Sequence, residues 1–83
     1  MLVPSPKELA LRVISQRKKL KLSQTAVSKL AGVKQQTISE FEINPESTKL
    51  NTLFHILSAV NLDIYLLAKD EITPSKTKWK EEW

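Results

Sequence analysis

The sequence predicts an all-α domain of four helices followed by one β-strand. Three observations predict it. Apolar residues recur at three- and four-residue spacing through four segments up to Val60. Each segment is bounded by residues that cap or break helices. After Val60 the period drops to two: in "NLDIYLLAK", Leu62, Ile64 and Leu66 alternate with Asp63 and Tyr65 in a stretch rich in β-favouring residues.

The first helix is expected over Pro6 to Leu20. Ser5 can cap it, proline fits its first turn, and Glu8 stands three residues after the serine as in a capping box. Leu9, Val13 and Ile14 then supply its inward side. "KLKLS" breaks the pattern, and Ser23 can cap a second helix that carries Val27, Leu30 and Ala31 inward. Gly32 ends it, because a left-handed residue is needed there and glycine takes that conformation without a Cβ penalty. A short third helix is expected from Gln35 to Phe41, with Ile38 and Phe41 inward and Gln35, Gln36, Ser39 and Glu40 outward. "INPEST" reads as a loop, since the residue before a proline disfavours helix. A fourth helix runs from Leu50 to Val60 with Leu50, Leu53, Phe54 and Leu57 as its apolar stripe. Residues 1–69 thus form one domain, and the polar, charged residues 70–83, "DEITPSKTKWKEEW", are expected to be a flexible tail.

Charge is unevenly spread over the 83 residues. The chain carries +4, but residues 1–49 hold nine Lys/Arg against four acids, whereas residues 50–83 hold four Lys against five acids. Between Arg12 and Lys34 lie seven basic residues and no acid, a distribution that suits a polyanion as well as a merely soluble face. Cysteine is absent, which fits a reducing compartment. No apolar run spans a membrane and "MLVPSPKE" lacks the regions of a signal peptide, so a cytoplasmic location is expected. An enzyme is disfavoured: the lone His55 lies on the polar side of the fourth helix, and no nucleophile, metal cluster or Gly-rich phosphate loop accompanies it. No cofactor or metal is expected.

Two consecutive glutamines on the outward side of a short helix behind a glycine turn raise the central question. Two helices joined by such a turn are the signature of a helix-turn-helix. The second helix of that pair can enter the DNA major groove, where its N-terminal side chains meet base edges. Glutamine suits the task, because its amide offers a donor and an acceptor and pairs with the edge of adenine.

Ser23 to Val60 resembles the core of the Cro/C1-type (Xre-like) helix-turn-helix family. The matching residues are Gln24 opening the second helix, Gly32-Val33 at the turn, Thr37-Ile38-Ser39 in the third helix and Glu42 at its end. "VKQQTISEFEINPESTKL", "LFHIL" and the final "EW" are similar to HipB-type antitoxins within that family. The resemblance implies a lambda-repressor-like domain whose Lys34, Gln35, Gln36 and Ser39 approach bases on a palindromic operator. It places Gln24 on a phosphate; Thr37, Arg12 and Lys29 are further phosphate candidates, read apart from the resemblance. It pairs Arg17 with Glu42, bridging the first helix to the end of the third. Lys21 stands where many relatives have glycine, and Lys34 where a capping hydroxyl is common.

A single strand has no partner in its own chain, and an unpaired edge is unstable. Pairing Leu62, Ile64 and Leu66 with the same segment of a second copy is expected to build a homodimer, as the resemblance also implies. Trp79 and Trp83 lie in a charged tail with no apolar neighbour to pack against, so they are expected to anchor on another protein. The resemblance makes that protein a HipA-like serine/threonine kinase toxin. The competing readings are a stand-alone repressor with no toxin partner and a pure protein-interaction module. The basic region beside the glutamine face favours DNA binding over the latter.

Overall fold

A computed structural model describes residues 2–69. Tail residues 70–83, with Trp79 and Trp83, lie outside the described residues. The order is α1 (Pro6–Lys19), α2 (Gln24–Ala31), α3 (Gln35–Ile43), a 3-10 turn (Pro45–Ser47) and α4 (Leu50–Ala59).

The caps follow the sequence. The Ser5 hydroxyl accepts from the Glu8 N–H at 3.2 Å and the Ser23 hydroxyl from the Ala26 N–H at 3.0 Å. These satisfy backbone donors that a helix start leaves orphaned. Three helices end alike. After α1 the N–H groups of Lys21 and Leu22 return to the carbonyls of Lys18 and Arg17, each at 3.0 Å. After α2 those of Gly32 and Val33 return to Lys29 and Ser28, and after α4 those of Asn61 and Leu62 return to Ser58 and Leu57. This is the Schellman arrangement, which needs one left-handed residue. Lys21 (φ 61°), Gly32 (φ 74°) and Asn61 (φ 60°) supply it. Glycine adopts that backbone freely and asparagine tolerates it, whereas lysine is strained there.

The core is built from all four helices: Ala10 and Val13 of α1, Val27 of α2, Ile38 and Phe41 of α3, then Ile56, Leu57 and Val60 at the end of α4. Leu9, Leu22, Val33, Leu53 and Leu62 pack around it. α2 sits between α3 and α4 and packs on both. The Gln16 amide donates to the Val60 carbonyl at 3.1 Å, tying α1 to the end of α4.

Three expectations about burial and bounds need correction. The inward stripe of α4 is Leu53, Ile56, Leu57 and Val60, while Leu50 and Phe54 are 66% and 48% exposed. Both sets have the spacing i, i+3, i+4, i+7, and only the neighbouring helices decide between them. Leu30 also points outward from α2. α3 continues through Ile43 and stops at Asn44, the residue before Pro45, which is where proline crowds a helix. Residues 62–68 carry no assigned secondary structure in the single chain, and Ile64 through Lys69 are exposed.

Candidate nucleic-acid interface

α3 is held by its underside. Ile38 and Phe41, each 1% exposed, lie in the core, so the opposite side faces solvent. There Gln35, Gln36 and Glu40 are exposed and Ser39 is half-buried. Lys34 precedes the helix in an extended conformation and provides no side-chain cap. The start of α3 thus has no side-chain cap and lies beside an exposed cation, a favourable setting for an anion.

A chain of polar contacts fixes this surface. The Arg17 Nε donates to Glu42 Oε2 at 2.7 Å and its Nη2 to Oε1 at 3.2 Å, a two-pronged pair with side chains only 13% and 8% exposed. The remaining Arg17 prong donates to the Leu22 carbonyl at 3.0 Å, in the turn just before α2. Gln24, the first residue of α2, donates from Nε2 to Glu42 Oε1 at 2.8 Å and accepts from Gln35 Nε2 at 2.6 Å. Direction along this chain is dictated by chemistry. A carboxylate only accepts, so Gln24 must turn its NH2 toward Glu42, which leaves its oxygen to receive the Gln35 amide. Gln35 is thus oriented through Gln24 by the ion pair.

The structure brings together Arg17, Glu42, Gln24, Gln35, Gln36 and Ser39 on α3 and the ends of the helices that brace it. Lys29 and Thr37 lie on the same two helices, exposed and half-buried respectively, whereas Arg12 is half-buried on α1. Among the described residues the salt bridge formed is Arg17–Glu42, and no other Lys or Arg side chain pairs with a described carboxylate. Gln24 links the ion pair to Gln35 of α3, a contact that sequence reasoning missed. Only the donor and acceptor inventory of the residues could have signalled it. Among the described residues no group of His, Cys, Asp or Glu could hold a metal ion, and no helix is long and apolar enough to cross a membrane.

Two helices joined by the 32–34 turn, with an outward polar side on the second and a brace from the first helix, define a helix-turn-helix DNA-binding domain. Comparison with known proteins agrees. The helix-turn-helix family profile matches residues 13–67. The antitoxin HipB of Escherichia coli K12 is 36% identical over 80 residues, covering 95% of this chain and 91% of the relative. Among solved structures, the HipA–HipB–O2–O3 complex superposes with a TM-score of 0.80 at 36% identity, covering 83% of this chain and 97% of that one. A HipB–O4 20mer complex gives 0.79 at 36% identity over 83% and 97%. The chain belongs to the HipB family of helix-turn-helix antitoxins.

Proposed function

We propose that this chain is a sequence-specific DNA-binding antitoxin and transcriptional autorepressor, acting in the cytoplasm as a homodimer that neutralises a HipA-like serine/threonine kinase. The observation that carries the DNA-reading part is the braced position of Gln35: exposed, yet fixed through Gln24 to the Arg17–Glu42 pair. A reading side chain held in advance loses less entropy on binding than a free one. The chain regulates and does not catalyse.

In this reading Lys34, Gln35, Gln36 and Ser39 approach base edges, and Gln24, Thr37, Arg12 and Lys29 contact phosphates. Residues 1–69 form the DNA-binding and dimerising body. Its dimer face is the exposed apolar surface of α4 and the segment after it. Phe54, Leu57, Ser58, Leu62, Asp63 and Ile64 line one groove there, and Leu66 is 87% exposed. Pairing residues 62–68 with their two-fold mates as antiparallel strands would cover Ile64 and Leu66. Two copies of α3 then read half-sites roughly 10 or 20 base pairs apart on a palindrome. The toxin contact falls to residues 70–83 through Trp83 and Trp79, in keeping with a relative solved in complex with HipA.

The test uses the full chain on a cognate operator and on random duplex. Gln35→Ala and Gln36→Ala are each expected to cost about 1–3 kcal/mol on the operator and far less on random DNA. Arg12→Ala and Lys29→Ala are expected to weaken both alike and to lower the salt dependence by about one charge each. Equal losses on both duplexes for the glutamine variants would remove base reading from this helix.

A further inference from the structure

An acid on a DNA-facing surface is repelled by every phosphate, and Glu40 is such an acid. It is exposed on the outward side of α3, one turn beyond Gln36. Gln36 Nε2 donates to Glu40 Oε2 at 3.5 Å, the long limit of a hydrogen bond. The carboxylate therefore keeps most of its accepting capacity open. It also draws the Gln36 NH2 toward itself, which turns the Gln36 carbonyl oxygen away. The side of α3 around Gln36 and Glu40 consequently presents acceptors, and Gln35 is polarised in the same sense by Gln24 and Glu42.

Acceptors need donors, and the major groove supplies few. Guanine offers O6 and N7 and thymine offers O4, all acceptors; only cytosine N4 and adenine N6 carry N–H groups. Against guanine or thymine the Glu40 carboxylate would be stripped of water and left without a proton to accept, a costly state for a charge. Adenine sets its N7 acceptor beside N6, where it repels a carboxylate, whereas the amino group is the one polar group that cytosine shows in that groove. We infer that Glu40 is a specificity-determining residue of the reading helix: with Gln36 it selects a cytosine amino group in each half-site and rejects base pairs that place a carbonyl there. Rejection does as much of this as attraction. The inference rests on α3 docking in the major groove as proposed above.

The experiment is selection of a randomised duplex pool by the full-length wild type, Glu40→Gln and Glu40→Ala, followed by competition at fixed salt between the selected site and its single-base-pair substitutions. The exposed position of Glu40, outside the core, leaves the fold of both variants intact. The wild type is expected to enrich a cytosine at one position of each half-site and to lose about tenfold or more in affinity when that base pair is changed. Glu40→Ala should lose the preference at that position alone, with the rest of the site unchanged. Glu40→Gln should admit adenine there, because an amide pairs with both N6 and N7. If Glu40→Ala selects the same site, cytosine included, and binds every duplex uniformly more tightly, Glu40 is only a repulsive charge and the inference is overturned. If the wild type enriches no sequence at all, the operator reading itself falls, and this inference falls with it.

Discussion

Removing Glu42 tests what holds α3. Glu42→Ala deletes both oxygens that receive Arg17, at 2.7 and 3.2 Å, and the one that receives Gln24 at 2.8 Å. Arg17 keeps the Leu22 carbonyl at 3.0 Å but remains a largely enclosed cation, its side chain 13% exposed. Breaking a buried pair from one side costs about 3–5 kcal/mol, and the residual exposure and surviving bond place this one near 3. Arg17→Ala, which strands a carboxylate still held by Gln24, should cost about 2–3 kcal/mol. The double variant should cost about 3 kcal/mol in total, because once one charge is gone the loss of the other relieves an unpaired ion; the coupling is then about 2–3 kcal/mol. Urea unfolding of all four proteins at one fixed protomer concentration measures this, since the stability of the proposed dimer would depend on concentration. Single losses below about 1 kcal/mol that simply add would mean that water screens both charges, as at an exposed pair, and the brace would not exist as described.

Three further outcomes follow from the geometry. At Gly32 a Cβ would meet no atom within 4 Å, so Gly32→Ala tests the left-handed backbone alone and should destabilise by about 1 kcal/mol; Lys21→Gly should be neutral or slightly stabilising, and the opposite order in urea midpoints would refute the assignment. Ile64→Lys should yield a folded monomer by sedimentation, because Ile64 is 41% exposed in the single chain and costs little there; an intact dimer would move the interface elsewhere. Deleting residues 71–83 should leave dimerisation and operator binding nearly unchanged while weakening capture of the kinase without abolishing it, as expected when the tail is one contact and the DNA-binding body makes a second; loss of DNA binding, or undiminished kinase affinity, would refute that role for the tail.

The helices and the turn between α2 and α3 are legible in the sequence because their determinants are local. Ser5, Ser23, Gly32 and Pro45 each act on backbone within a few residues. Ile38 and Phe41 are likewise legible as the underside of α3, which is enough to place Gln35 and Gln36 outside. The buried side of α4 is not legible, since Leu50–Leu53–Phe54–Leu57 and Leu53–Ile56–Leu57–Val60 share one periodicity and differ only in what packs against them. Nor is the left-handed backbone at Lys21 and Asn61, which is set by the helix ends and not announced by a glycine. Least legible of all is the hydrogen-bond direction among Glu42, Gln24 and Gln35, which exists only once three helices have met.

That direction explains why the contact between α1 and the end of α3 is polar. An apolar seam of equal volume would serve stability as well or better, because a buried ion pair gains little net free energy over packed hydrocarbon. Hydrocarbon, however, has no orientation to transmit. The Arg17–Glu42 pair imposes one: the acceptor-only carboxylate turns Gln24, and Gln24 turns Gln35. A variant with Arg17→Met and Glu42→Leu together should accordingly recover most of the stability lost by either single alanine variant, yet discriminate less well between operator and random duplex. In that variant Gln24 and Gln35 would be free to present either end of their amides to the groove. Stability and discrimination would then separate in a protein whose proposed base-reading residues are all unchanged, which would assign the ion pair to reading rather than to folding.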